Sequence, residues 1–202
     1  SCGIMNSRSA FCSSLHAYAP MSLNGTLTIG NGGEITNVFW HYGAGSILSF
    51  RGNLSVSGEY SLFNGLILPA GQAYESTLTV TSAGTLWQRQ SGNFTLGVNT
   101  ENNGLFKVEA LVTIYSGNSL TVFSNGAFGR VELYPGATLE GYNGYFGNNG
   151  LLTAMPGLNG HFGEGLPFYN DVAGVVKVDA AIFGIYNAPQ LPAYSNRMDR
   201  GA

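Results

Sequence analysis

The sequence predicts an all-β protein built as a parallel β-solenoid, and three observations carry that prediction. Short apolar runs alternate with glycines and never settle into helical spacing, as in Ser119-Leu-Thr-Val-Phe-Ser-Asn-Gly-Ala-Phe-Gly-Arg-Val-Glu-Leu-Tyr-Pro-Gly-Ala-Thr-Leu139. A corner unit recurs, with an apolar residue, three variable residues, a glycine, one residue and another apolar residue: Ile29, Gly33 and Ile35; Val80, Gly84 and Leu86; Val122, Gly126 and Phe128. The leucines that open the clearest strands, Leu27, Leu54, Leu78 and Leu120, are spaced by 27, 24 and 42 residues, the last near twice 21. Coils of slightly more than twenty residues with loop insertions fit these steps. The competing arrangement is an antiparallel β-sandwich or jelly roll, because Asn64-Gly65, Asn125-Gly126, Asn143-Gly144 and Asn159-Gly160 all have the chemistry of hairpin turns. The fixed corner spacing favours the solenoid.

Taken in order, residues 1–22 read as an irregular lead-in or cap, and residues 23–150 as the solenoid body, opening with Gly25-Thr-Leu-Thr-Ile-Gly-Asn-Gly-Gly-Glu-Ile35. Residues 140–165 are rich in glycine and lose the alternation, which predicts irregular coils or a loop. Residues 151–202 read as a C-terminal cap or association segment, with strands expected over 172–178 and 181–186.

Composition narrows the function classes. Charged residues make up 9% of the chain, against about 25% in ordinary soluble domains, and solubility falls to Asn, Ser, Thr and Tyr. The net charge is −3 and the eight basic residues are scattered singly, so there is no cationic footprint for nucleic acid. No apolar run reaches the ~20 residues of a membrane helix, and no basic-then-apolar signal layout opens the chain. Cys2 and Cys12 are expected to form a small terminal disulfide, with two free thiols as the alternative. This composition points outside the cytoplasm.

The run Leu120-Thr-Val, Asn125-Gly, Val131-Glu-Leu and Pro135-Gly-Ala-Thr-Leu139, with Thr26-Leu-Thr-Ile-Gly-Asn-Gly-Gly33 and Thr77-Leu-Thr-Val-Thr-Ser-Ala-Gly84, resembles the β-helical passenger repeats of bacterial autotransporter adhesins. Phage tail fibres and tail spikes use similar patterns. The resemblance spans about residues 23 to 141 and implies a backbone solution rather than an activity. It departs from autotransporters in the lack of strands enough for a C-terminal membrane barrel.

Catalytic chemistry finds little anchorage. His16, His41 and His161 each lack a His or Cys partner at ligand spacing, so no metal and no cofactor is expected. Nucleophile elbows, phosphate loops and zinc-protease helices are missing. The carboxylate pairs to consider for glycoside cleavage are Glu132 with Glu140 and Asp171 with Asp179. Glu132, between inward Val131 and Leu133, is expected to face solvent. Asn24, Asn53 and Asn93 open N-x-S/T matches that read as by-products of the repeat. The candidate ligand-binding residues are the aromatics Trp40, Tyr42 and Trp87, which would stack on a sugar ring.

The expectation is therefore an extracellular, cell-surface or virion-associated protein whose role leans to structural display or adhesion rather than catalysis, with enzyme status left open. It would self-associate as a trimer or filament and touch a host-surface glycan or protein. A carbohydrate-binding or glycan-cleaving spike module and a capsid or shell subunit are the alternatives.

Overall fold

Alternation of inward apolar and outward polar residues leaves each short strand with a buried edge that a further coil must cover. The computed structural model of the chain, which describes residues 9–89, 92–115, 120–179, 182–185 and 198–200, solves this by stacking coils of three strands. Up to Val175–Val178 each strand pairs in parallel with the strand three places along the chain, and Met198–Arg200 then pairs in parallel with Val175–Val178, giving three sheets of nine, eight and nine described strands. The first sheet runs from Ser9–Cys12 through Thr26–Ile29 and Thr138–Gly141 to Ile182–Ile185. The second runs from Leu15–Ala17 through Ser76–Val80 and Gly144–Asn148 to Phe168–Asn170. The third runs from Met21–Leu23 through Thr85–Gln88 and Arg130–Leu133 to Val175–Val178 and Met198–Arg200. This is the expected parallel solenoid. Among the described residues no strand pair is antiparallel, and the Asn-Gly pairs do not close hairpins.

The stack passes both expected boundaries. The strands at Ser9–Cys12, Leu15–Ala17 and Met21–Leu23 already form a complete coil, and those at Gly144–Asn148 and Leu151–Ala154 continue the ladders through the glycine-rich segment. Cys12 lies half-buried in the first strand, whereas Cys2 lies outside the described residues, as does the expected bond between them.

The period is clearest along the second sheet, where Leu54, Leu78, Thr100, Phe123, Phe146 and Phe168 occupy successive rungs of one inward row, at steps of 24, 22, 23, 23 and 22. Leu120, counted in the sequence as a strand opener, is 60% exposed and precedes the strand Thr121–Asn125, in which Phe123 takes the place of Leu78 on the inward row. Phe123 and Phe146 stack at 4.7 Å with their planes 7° apart.

A neighbouring inward row begins as Ile35, Val56 and Val80 and then turns polar, as Asn102, Asn125, Asn148 and Asn170. The Nδ2 groups of Asn102, Asn125 and Asn148 each donate to the Oδ1 of the next asparagine at 2.7 Å, and Asn170 Nδ2 donates to Gly174 C=O at 2.7 Å, which satisfies all but Asn102 Oδ1 among amide groups that would otherwise be costly inside an apolar core. These asparagines correct the sequence reading of the third corner unit. The equivalent of Val80, Gly84 and Leu86 is Asn125, Gly129 and Val131, whereas Phe128 sits on the turn and is 82% exposed.

The turn after this row ends in glycine for a steric reason. A Cβ on Gly150 would press into the carbonyl oxygens of Gly126 and Gly129, and Gly84, Gly104, Gly129 and Gly174 face the same obstruction from the backbone of the rung below. At another corner, Tyr134-Pro135-Gly136-Ala137 forms a type II turn: Ala137 N–H donates to Tyr134 C=O at 2.9 Å, and Gly136 takes φ 90°.

Candidate functional site

The outward rows of the third sheet gather most of the chemistry in a chain otherwise poor in it. One row reads Trp40, Ser61, Trp87, Lys107, Glu132, Thr153 and Lys177 on successive rungs. The next row, held in step by N–H bonds to the preceding rung, reads Tyr42, Phe63, Arg89, Glu109, Tyr134, Met155 and Asp179. Both tryptophans and four of the eight basic residues stand here, with four carboxylates counting Glu59.

All three aromatics named from the sequence thus share one face. Trp40 and Tyr42 lie on one rung, exposed by 36% and 39%, and Tyr42 meets Phe63 edge-on at 6.2 Å. Trp87 lies two rungs further on, a backbone separation of about 10 Å at the usual strand spacing. Its environment differs from that of Trp40. The Arg89 guanidinium lies 3.2 Å from the Trp87 ring centroid, the Lys107 Nζ 4.5 Å, and its Nε1–H donates to Glu109 at 2.9 Å. Trp87 is therefore a pinned side chain with an occupied face, while Trp40 and Tyr42 are the open stacking surfaces.

Three ion pairs join most of these charges. Arg89 pairs with Glu59 at 2.9 Å, Arg130 with Glu132 at 2.8 Å and Lys177 with Asp179 at 2.8 Å. Glu132 does not face open solvent as expected. It takes the outward position, but Arg130 and Tyr134 fold over it, and it is 8% exposed while accepting from the Tyr134 hydroxyl at 2.8 Å. Burial, and then the Glu132 carboxylate, push the Tyr134 phenol up to about 12.

The other proposed pairs are not brought together. Glu140 belongs to the first sheet and Glu132 to the third, around a corner, and Asp171 and Asp179 flank opposite ends of Val175–Val178. Glu140 instead accepts from Thr113 at 3.1 Å. Neither arrangement presents two carboxyl groups across a cleft, the geometry that glycoside hydrolysis uses.

Of the histidines, His41 is fully buried, with Nδ1 3.0 Å from the Tyr60 hydroxyl, and desolvation holds it down to about 4. His16 is exposed and lies 3.1 Å from Glu34 and 3.2 Å from the Ser14 hydroxyl. The Tyr18 hydroxyl also donates to Glu34, and this bond, more than His16, holds the Glu34 carboxyl below its usual value. The Ser-His-Glu order is that of a nucleophile relay, but it stands on an open face where water screens each member. The His161 side chain lies outside the described residues. Among the described residues no three His, Cys, Asp or Glu are placed to hold a metal ion, and no helix is long and apolar enough to cross a membrane.

Sequence reasoning found Trp40, Tyr42 and Trp87 but missed Phe63, Arg89 and Glu109 beside them. The signal was the 21-residue and 26-residue steps from Trp40 to Ser61 and from Ser61 to Trp87, which become visible only once the coil lengths are known. No family model, no curated protein and no solved structure matches this chain.

Proposed function

We propose that the protein is an extracellular or virion-associated structural and adhesive solenoid that presents the outer face of its third sheet to a partner and associates with copies of itself. The observation that carries the adhesive reading is the concentration of both tryptophans and most described charges on that one face. Aromatic and arginine side chains on a rigid platform are the usual anchors of recognition surfaces. Self-association is supported by the parallel ladders, whose terminal strands present backbone edges of the kind that a further coil covers. Phe128 and Val172, 82% and 73% exposed on corners between the second and third sheets, add apolar surface for such contacts.

The Trp40→Ala/Tyr42→Ala double variant tests the adhesive face, with the labelled protein applied to intact cells and to an oligosaccharide array. At least a tenfold loss of binding is expected, with unfolding stability lowered by no more than about 2 kcal/mol, since both rings are outward but partly covered. Unchanged binding would remove this face from the account.

A second reading, glycan binding, is favoured by the exposed rings of Trp40 and Tyr42, the latter backed by half-buried Phe63, since open ring faces suit the C–H face of a sugar. Retention on the array selects it, and retention on cells alone selects a protein partner.

A further inference from the structure

A different face carries a hollow that the fold does not require. The outward row of the second sheet reads His16, Glu34, Ser55, Thr79, Glu101, Ser124, Gly147 and Tyr169, so a side chain stands on every rung except that of Gly147. Unlike the corner glycines, Gly147 is neither left-handed nor crowded. A Cβ there would meet nothing nearer than Phe123 O and Tyr145 Cε2, both at 4.0 Å. A β-branched residue would suit that strand position better than glycine does.

The gap opens a recess of about 360 Å³, floored by Gly147 backbone and walled by Tyr169, with Ser124, Asn149 and Asp171 at its rim. Tyr145 meets Tyr169 edge-on at 5.5 Å and so braces that wall. Asn148 and Asn170 border the recess, but their side chains are turned inward into the asparagine ladder. One Asp171 oxygen is held by the Val172 N–H at 2.7 Å, which orients the carboxylate at the rim. Among the described residues no basic side chain lines the recess.

We infer that the recess at Gly147 is a subsite for one ring of a neutral saccharide, held against Tyr169 and hydrogen-bonded by Ser124, Asn149 and Asp171. An aromatic wall answers the C–H face of a pyranose, while amide, hydroxyl and carboxylate at the rim answer its hydroxyls. Asp171, with no cation paired to it among the described residues, disfavours uronic and sialic acids by like-charge repulsion. The inference rests on the glycan-binding reading above and adds to it a site on a separate face.

The test is an amide-resolved NMR titration of the full chain with the methyl glycosides of glucose, galactose, mannose and N-acetylglucosamine, and separately with choline. Saturable shifts at Gly147, Asn149 and Asp171 are expected with at least one glycoside. They should vanish in Gly147→Val, whose added side chain fills the recess, and persist in Trp40→Ala. Tyr169→Ala, outward and only half-buried, guards against a folding defect in the valine variant and should weaken binding by roughly tenfold. Shifts confined to the third sheet, or unaffected by both variants, overturn the subsite and leave the glycan reading standing. Response to choline alone overturns it in favour of a cation site, and the absence of any glycoside response overturns both.

Discussion

Replacing Asn125 with leucine is expected to cost about 4 kcal/mol of stability, because two buried amides on either side would lose a partner at about 1–3 kcal/mol each and the turn beyond them would loosen. Asn125 Oδ1 accepts from Asn102, and its Nδ2 donates to Asn148 at 2.7 Å and to Gly129 C=O at 3.3 Å. After the substitution Asn148 Oδ1 faces a hydrocarbon side chain, and Asn102 Nδ2 keeps only Arg130 C=O at 3.1 Å. For a chain of this length that loss corresponds to a fall in Tm of roughly 12 °C. The end of the row provides the control. Asn102 Oδ1 is buried with no donor, where the row changes from Val80 to asparagine, so Asn102→Leu removes a group that is already unsatisfied. It should cost about half as much as Asn125→Leu. Urea titrations of both variants measure the difference, and equal losses would show that the asparagines act as independent fillers rather than as a connected row.

Acid is expected to destabilise the protein through His41. This imidazole is neutral and fully buried in the folded chain, and its value falls from 6.5 to about 4. Facing it are Tyr60, whose phenol burial raises well above 10 and so keeps protonated, the ring of Phe94, and the backbone at Gly65. Between about pH 6.5 and 4 the unfolded chain binds a proton that the folded chain refuses. Stability from this group is therefore complete above pH 6.5 and is lost as the pH falls toward 4. The loss amounts to about 3 kcal/mol, from 2.5 units at 1.36 kcal/mol each. Glu34, whose folded value is lowered, contributes in the same direction but below its ordinary value of 4.5, so the two windows separate. Unfolding free energies measured across this range should rise with pH in the parent protein and lie nearly flat from 4.5 to 6.5 in His41→Gln, which keeps a neutral partner for Tyr60. A parallel slope in both proteins would assign the acid sensitivity elsewhere.

Much of the architecture was legible because backbone requirements leave marks in sequence. Ile29, Gly33 and Ile35, and Val80, Gly84 and Leu86, mark corners where apolar residues point inward on both sides of a glycine, and all four apolar residues are buried. Pro135-Gly136 announces its own turn type. The third corner misled because Asn125 is polar yet inward. Its burial depends on asparagines 23 residues away on either side, a condition that no local window contains. Phe128 and Leu120 misled for the converse reason, as apolar residues on solvent-facing turns. At the site, Trp40, Tyr42 and Trp87 were legible as residue types. That they share a face was not, because insertions such as the segment around Ala73–Glu75, where Glu75 pairs with Arg51 at 2.9 Å, make successive coils unequal in length. The closure of Arg130 and Tyr134 over Glu132 was hidden too, since alternation tells which side of the sheet a residue takes and not what its neighbours do there.

The measurement that bears most directly on a structural, self-associating solenoid is the molecular mass in solution together with negative-stain images of the same sample. The account predicts a mass that is a multiple of 21.3 kDa and particles longer than the roughly 40 Å of a single nine-rung stack. A uniform population of 21.3 kDa globules would contradict it.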